Sequence, residues 1–128
     1  MTASDATIFI CVSCTVEGAP SEQPGRALFE TVKAKLASSP ERVAIVKAVD
    51  CLAVCKRPCT IALAGEGKWT YVVGDLKRES HLEDIVAAAR NYAASPEGIV
   101  PWRERPLSFR RGVVSRTPPL ASAGMAPA

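Results

Sequence analysis

The sequence contains no apolar run of the roughly 18 residues that a membrane-spanning helix requires. Its first residues, MTASDATIFICV, carry no basic region ahead of their short apolar stretch, so a secretory signal is not indicated either. Without a span or a signal, we expect a cytoplasmic protein that does not associate with membranes.

The side chains that most catalytic sites need are also scarce. There is one histidine, His81, and its place at the start of a predicted helix indicates a surface residue rather than a metal ligand. The sequence has no Gly-rich phosphate loop, no Ser/His/Asp set and no paired carboxylates in an apolar setting. We therefore expect an electron carrier or a metal-binding protein rather than an enzyme.

The charge of the chain is unevenly distributed. The net charge is +3, but the segment from Pro101 onward holds five arginines and a single acid, Glu104, so it carries +4 and the first hundred residues carry −1. A basic segment of this kind suits nucleic acid or an acidic partner. It lacks the dense Lys/Arg run with interleaved aromatics that nucleic-acid binding favours, so we expect it to wrap its own domain.

The chain of 128 residues is 48% hydrophobic, which is enough for one domain with a core. Apolar runs predict two buried strands with a helix between them, then a hairpin, then a helix that begins at Ser80 in a capping box with Glu83. The predicted ranges are Ala6 to Val12, Gly25 to Ala37, Val43 to Val49, Thr60 to Ala64, Trp69 to Val73 and Ser80 to Ala94.

This β-α-β-β-β-α order is the plan of a thioredoxin-like α/β domain with a mixed four-stranded sheet. The helical crossover makes the first two strands parallel, and the tight turn makes the last two antiparallel. We assign residues 1–100 to this domain and residues 101–119 to an extended basic tail, packed on it through Trp102 and Phe109 as buried anchors. Residues 120–128 have low complexity and are predicted to be disordered.

Five cysteines fall in two short segments. Cys11 and Cys14 end the first strand in CVSC, and Cys51, Cys55 and Cys59 lie in CLAVCKRPC, the loop after the second strand. Parallel neighbours bring these two strand ends to one edge of the sheet. An odd number of thiols in a reducing compartment favours metal binding or redox chemistry over disulfides. Lys56 and Arg57 add positive charge that favours thiolates.

These segments resemble known proteins. CLAVC after a strand, with another cysteine pair after the first strand, resembles the thioredoxin-like [2Fe-2S] ferredoxins and the related small subunit of respiratory NADH dehydrogenases. More closely, CVSC, CLAVCKRPCTIAL, GKWTYVVGDL, GIVPWRERP and FRRGVVSR resemble a family of small bacterial predicted metal-binding proteins of unknown function, often encoded near cobalamin-synthesis genes. The resemblance covers nearly the whole chain up to Pro119.

The ferredoxin resemblance implies a [2Fe-2S] cluster with Cys11, Cys14, Cys51 and Cys55 as ligands. It also implies a single-electron carrier, a homodimer and a redox partner protein, with a link to cobalamin or metal metabolism. Two departures leave the ligand set open: the first pair has a two-residue spacer where the ferredoxins have a longer one, and Cys59 is an additional thiol that can replace a ligand such as Cys11. The glycine expected inside the second pair is Ala53 here, which still fits a tight loop.

Two other readings of the cysteines remain open. Four of them could form a tetrahedral structural zinc site, because a Cys-x-x-Cys pair suits zinc. Cys11 and Cys14 could instead act as a redox dithiol on the same fold. That motif normally opens a helix, and here Pro20, Pro24 and Gly25 delay the helix, so we rank the dithiol reading below the two metal sites.

Overall fold

The computed structural model describes residues 6–13, 23–38, 44–53 and 59–120. These residues form one mixed sheet of five strands in the order β2-β1-β3-β4-β5. The β1/β2 pair is parallel, and the β1/β3, β3/β4 and β4/β5 pairs are antiparallel. The strands are β1 Thr7–Cys11, β2 Ile45–Val49, β3 Ile61–Ala64, β4 Thr70–Val73 and β5 Val113–Thr117.

Within the same ranges, three helices accompany the sheet: α1 Pro24–Ala37, α2 Arg78–Ala94 and the short α3 Leu107–Gly112. A 3₁₀ turn, Trp102–Glu104, precedes α3. Helix α1 packs against β1 and β2, and α2 packs against both α1 and α3. Among the described residues, no helix is both long and apolar enough to cross a membrane. The predicted mixed α/β architecture, with its parallel first pair and antiparallel last pair, is confirmed.

Helix α1 forms within one residue of its predicted start because its sequence supplies both the start and the apolar face. Pro24 occupies the first helical position, where its missing N–H costs nothing. Leu28 and Val32 lie one turn apart and are fully buried, with Phe29 beside them. The helix ends at the predicted Ala37, and Ser38 closes it by donating its N–H to the Ala34 carbonyl.

The second strand was predicted to be buried, and that prediction is wrong. Within the described part of the chain, strand β2 is an edge strand that pairs with β1 alone, and all five of its side chains are exposed or half-buried. The Ile45 side chain is 38% exposed. An apolar run alone does not distinguish a central strand from an edge strand, because that depends on which other strands pair with it.

Helix α2 begins earlier than the capping-box prediction placed it. Its first residue is Arg78 rather than Ser80, and the N-cap, Lys77, makes no side-chain capping bond. The half-buried His81 side chain satisfies this end instead, because its Nδ1 accepts the Lys77 backbone N–H at 3.0 Å. The first turn of α2 is therefore capped by the His81 imidazole, where a capping box of Ser80 and Glu83 was predicted.

The tail is more structured than the predicted extended segment. Phe109 is a buried anchor as predicted, but Trp102 is 61% exposed, so its predicted burial is wrong. The tail was predicted to be extended, yet α3 begins directly after Pro106, a position where proline does not interrupt helical hydrogen bonds. Strand β5 then extends the sheet beyond β4, so the sheet has five strands where four were predicted. The division at residue 100 stays a prediction, and residues 121–128 lie outside the described residues.

Candidate metal centre

Three of the five cysteines lie at one edge of the sheet. Cys11 is the last residue of β1, Cys51 follows β2, and Cys59 precedes β3. Since β1 runs parallel to β2 and antiparallel to β3, the ends of the first two strands and the start of the third meet there. Backbone bonds fix the arrangement: the Cys11 N–H donates to the Thr60 carbonyl at 3.1 Å. The other predicted ligands, Cys14 and Cys55, lie outside the described residues.

The loop after β2 turns sharply around the Cys51 side chain. Ala53 has a φ of 63°, in the left-handed region that glycine adopts more easily. This conformation directs the Ala53 N–H to the Cys51 Sγ at 3.2 Å. Cys51 is exposed, and cysteines ligate metals as thiolates.

Cys11 is held in a more enclosed setting. Its side chain is buried, and its Sγ lies 3.6 Å from the Ser13 hydroxyl and 3.7 Å from the Asp50 carbonyl oxygen, to which the thiol donates. The Ser13 hydroxyl also donates to the Asp50 carbonyl. On the other side, α1 begins against the Cys11 backbone so closely that a Cβ at Gly25 would collide with the Cys11 carbonyl oxygen. Glycine is therefore required where the helix meets the end of β1.

Cys59 differs from Cys51 although both belong to the same loop of the sequence. Its side chain is 5% exposed and belongs to the hydrophobic core. Burial, reinforced by the neighbouring Cys11 and by Glu79, raises the pKa of the Cys59 thiol to about 11. Two backbone hydrogen bonds with Leu76, each 3.1 Å long, hold it in this position. In the metal-free protein, Cys59 is thus a protonated core thiol at neutral pH.

The remaining predicted features of the site are only partly within the described residues. In residues 6–13, 23–38, 44–53 and 59–120, no group of three His, Cys, Asp or Glu side chains is placed to hold a metal ion. Lys56 and Arg57, predicted to favour thiolates, lie in the segment left out of those ranges. The ligand set of Cys11, Cys14, Cys51 and Cys55, with Cys59 as an alternate, stays a prediction.

Comparison with known protein families identifies the family of the chain. A family described as "Protein of unknown function (DUF1636)" matches residues 8–119. The chain belongs to this family. No curated protein matches the chain.

Solved structures show which fold this family member shares. A thioredoxin-like [2Fe-2S] ferredoxin from Aquifex aeolicus superposes with a TM-score of 0.60 at 19% identity, covering 93% of this chain and 99% of the ferredoxin. A wild-type structure at 1.5 Å resolution, also named as this ferredoxin from Aquifex aeolicus, gives a TM-score of 0.58 at 18% identity over 88% of this chain and 99% of the other. The predicted thioredoxin-like fold, which the chain shares with these ferredoxins, is confirmed.

Proposed function

We propose that the protein binds one [2Fe-2S] cluster and carries single electrons, without a substrate of its own. The observation that carries this proposal is the meeting of Cys11 and Cys51 at one edge of a sheet whose fold is shared with thioredoxin-like [2Fe-2S] ferredoxins. Thiolates are the ligands of such clusters, and both parts of the sequence that contribute a predicted cysteine pair reach this edge.

The described residues fit a thiolate-ligated cluster. Cys51 lies exposed at the edge, and the Ala53 N–H donates to its sulfur. Hydrogen bonds of this kind stabilise negative charge on a ligating sulfur and contribute to the reduction potential. Cys11, Cys14, Cys51 and Cys55 would hold the cluster, which supplies one-electron oxidation and reduction when bound.

Cys59 is the reserve thiol in this proposal. Its thiol is buried and its pKa is raised to about 11, whereas Cys51 in the same loop is exposed. With Cys11, Cys14, Cys51 and Cys55 as the four ligands, the cluster needs no thiolate from Cys59, which stays the alternate ligand.

The proposal also assigns a setting. The protein acts in the cytoplasm as a homodimer, passes electrons to or from a partner protein, and serves cobalamin or metal metabolism. The resemblance described above supports the dimer and the pathway.

Metal and sulfide analysis of anaerobically purified protein tests the proposal. We expect a reddish-brown protein with about two irons and two inorganic sulfides per chain, which is the composition of the cluster. Cys51→Ser should abolish the visible absorption, whereas the matched change Cys59→Ser should retain it. A colourless protein with one zinc per chain would contradict the cluster and support the structural zinc site. Loss of the cluster in Cys59→Ser alone would overturn the ligand assignment.

A further inference from the structure

A tryptophan and a leucine, five residues apart in sequence, are both exposed in the tail. The Trp102 side chain is 61% exposed and that of Leu107, the first residue of α3, is 58% exposed. The Arg110 guanidinium covers one face of the indole, 4.8 Å from the ring centroid. Phe109 and Gly112 occupy the buried side of α3, which leaves Leu107, Arg110 and Arg111 on the outer side. We refer to Trp102, Leu107, Arg110 and Arg111 as the Trp102 surface.

The backbone beneath this surface is firmly held. Arg110 donates from Nε to the Trp102 carbonyl at 3.2 Å and from Nη2 to the Arg103 carbonyl at 2.8 Å. Arg105 donates to the Val100 carbonyl at 2.8 Å while its guanidinium lies over the Tyr71 ring. Trp102 is thus presented to solvent by a fixed turn, and a partner that contacts it loses little conformational entropy on the side of this protein.

The charge around the exposed tryptophan is positive. Arg105 and Arg110 donate to main-chain carbonyls, which have no formal charge, so these contacts leave both positive charges in place. Arg103 and Arg111 are exposed beside them, and Glu104 is the acid of this segment. Tryptophan and arginine are the residues most enriched among those that dominate binding energy at protein interfaces.

The Trp102 surface neighbours the thiol edge of the sheet. Helix α3 ends at Gly112, whose carbonyl accepts the N–H of Gly74 at 2.8 Å. Gly74 follows Val73, the last residue of β4. Val73 pairs with Ile61, and Ile61 lies two residues after Cys59. Leu107 and Arg111 also line a groove of about 470 Å³, together with Asp75, Asp84 and Lys77. Lys77 is next to the Leu76 that pairs with Cys59.

We propose that the Trp102 surface docks an acidic protein, with Trp102 and Leu107 entering an apolar pocket that carboxylates surround. This inference adds the class of partner to the proposed function, and docking itself does not require the cluster. A single-stranded nucleic acid fits less well, because such ligands stack on successive aromatic side chains. Among the described residues, Trp102 is the one exposed aromatic side chain, and Leu107, the other exposed apolar residue of the Trp102 surface, is aliphatic.

Two fluorescein-labelled peptides test the inference by anisotropy: one in which leucines separate pairs of glutamates, and one with alanine in place of leucine. The full chain as isolated should bind the leucine peptide about tenfold tighter or more. Trp102→Ala should remove that difference. Arg111→Gln should flatten the salt dependence of binding, whereas the matched change Lys47→Gln on β2 should not. Iron content is measured separately, so a missing cluster and a failed docking surface are distinguishable.

Ile45→Ala removes an exposed side chain from β2, the outer strand on the other side of the sheet from β5. This control variant should leave peptide binding unchanged. Leu107→Ala is the second test variant and should weaken the leucine peptide as Trp102→Ala does, with melting temperatures recorded for both. Equal affinity for the two peptides, no binding of either, or unchanged binding by both variants would overturn the proposal. Oligothymidylate that binds in a Trp102-dependent manner while the peptides do not would assign the surface to nucleic acid instead.

Discussion

At the scale of single residues, the raised pKa of the Cys59 thiol has a measurable effect on the free energy of unfolding. Folding raises the pKa of Cys59 from 9.0 to about 11, so the folded chain keeps this proton to higher pH than the unfolded chain does. Unfolding therefore releases a proton between these two values, and the contribution of Cys59, complete below pH 9, is lost as the pH rises to 11. In reduced protein without the cluster, the free energy of unfolding should fall between pH 8 and pH 11. Cys59→Ala should make this fall smaller by about 2 kcal/mol. Urea denaturation at each pH measures this difference. Cys59→Ser also lacks the thiol and should match Cys59→Ala, and an unaltered alkaline slope in both variants would contradict the assignment.

At the scale of elements, α3 offers a matched pair of side chains on one short helix. Phe109 is 3% exposed and fills the core, whereas Leu107 is 58% exposed. Phe109→Ala should lower the free energy of unfolding by about 3 kcal/mol, because it leaves a cavity that the surroundings fill only in part. Leu107→Ala should change it by no more than about 0.5 kcal/mol. Urea denaturation of the two variants measures both values, and equal losses would mean that α3 does not pack on the domain as described.

The same elements show what the sequence could and could not predict. The apolar face of α1 and the pairing of strands around the hairpin follow from local patterns and were predictable. The exposure of β2 was not, because an apolar run does not state how many neighbours a strand has. The position of Trp102 was not predictable either, because Arg110 holds it through hydrogen bonds to the Trp102 and Arg103 carbonyls, which apolar spacing does not reveal. Likewise, Cys59 is held by backbone bonds to Leu76, which is distant in sequence.

At the scale of the whole molecule, the proposed cluster would join parts of the chain that are far apart in sequence. A cluster held by Cys11 at the end of β1 and Cys51 after β2 would bind the folded chain in preference to the unfolded one, so its binding would stabilise the fold. Removing the cluster with a chelator should therefore lower the melting temperature by roughly 5 °C or more, equivalent to about 1 to 2 kcal/mol. Anaerobic calorimetry before and after chelation measures the shift. The chelator should leave Cys51→Ser unaffected, and a native protein that melts at the same temperature with and without iron would contradict the prediction.

The arrangement of the sheet also has a consequence for biosynthesis. All five cysteines precede residue 60, but the core is completed by Phe109 and the sheet by β5, which leave the ribosome after all of the cysteines. Until those residues emerge, β4 has an open edge and Phe109 is missing from the core that encloses Cys59. Metal delivered to the nascent chain would meet five accessible thiols, whereas metal delivered after release meets a chain in which Cys59 is already enclosed. The finished fold, rather than the spacing of the cysteines, then selects the thiols that remain available to the metal.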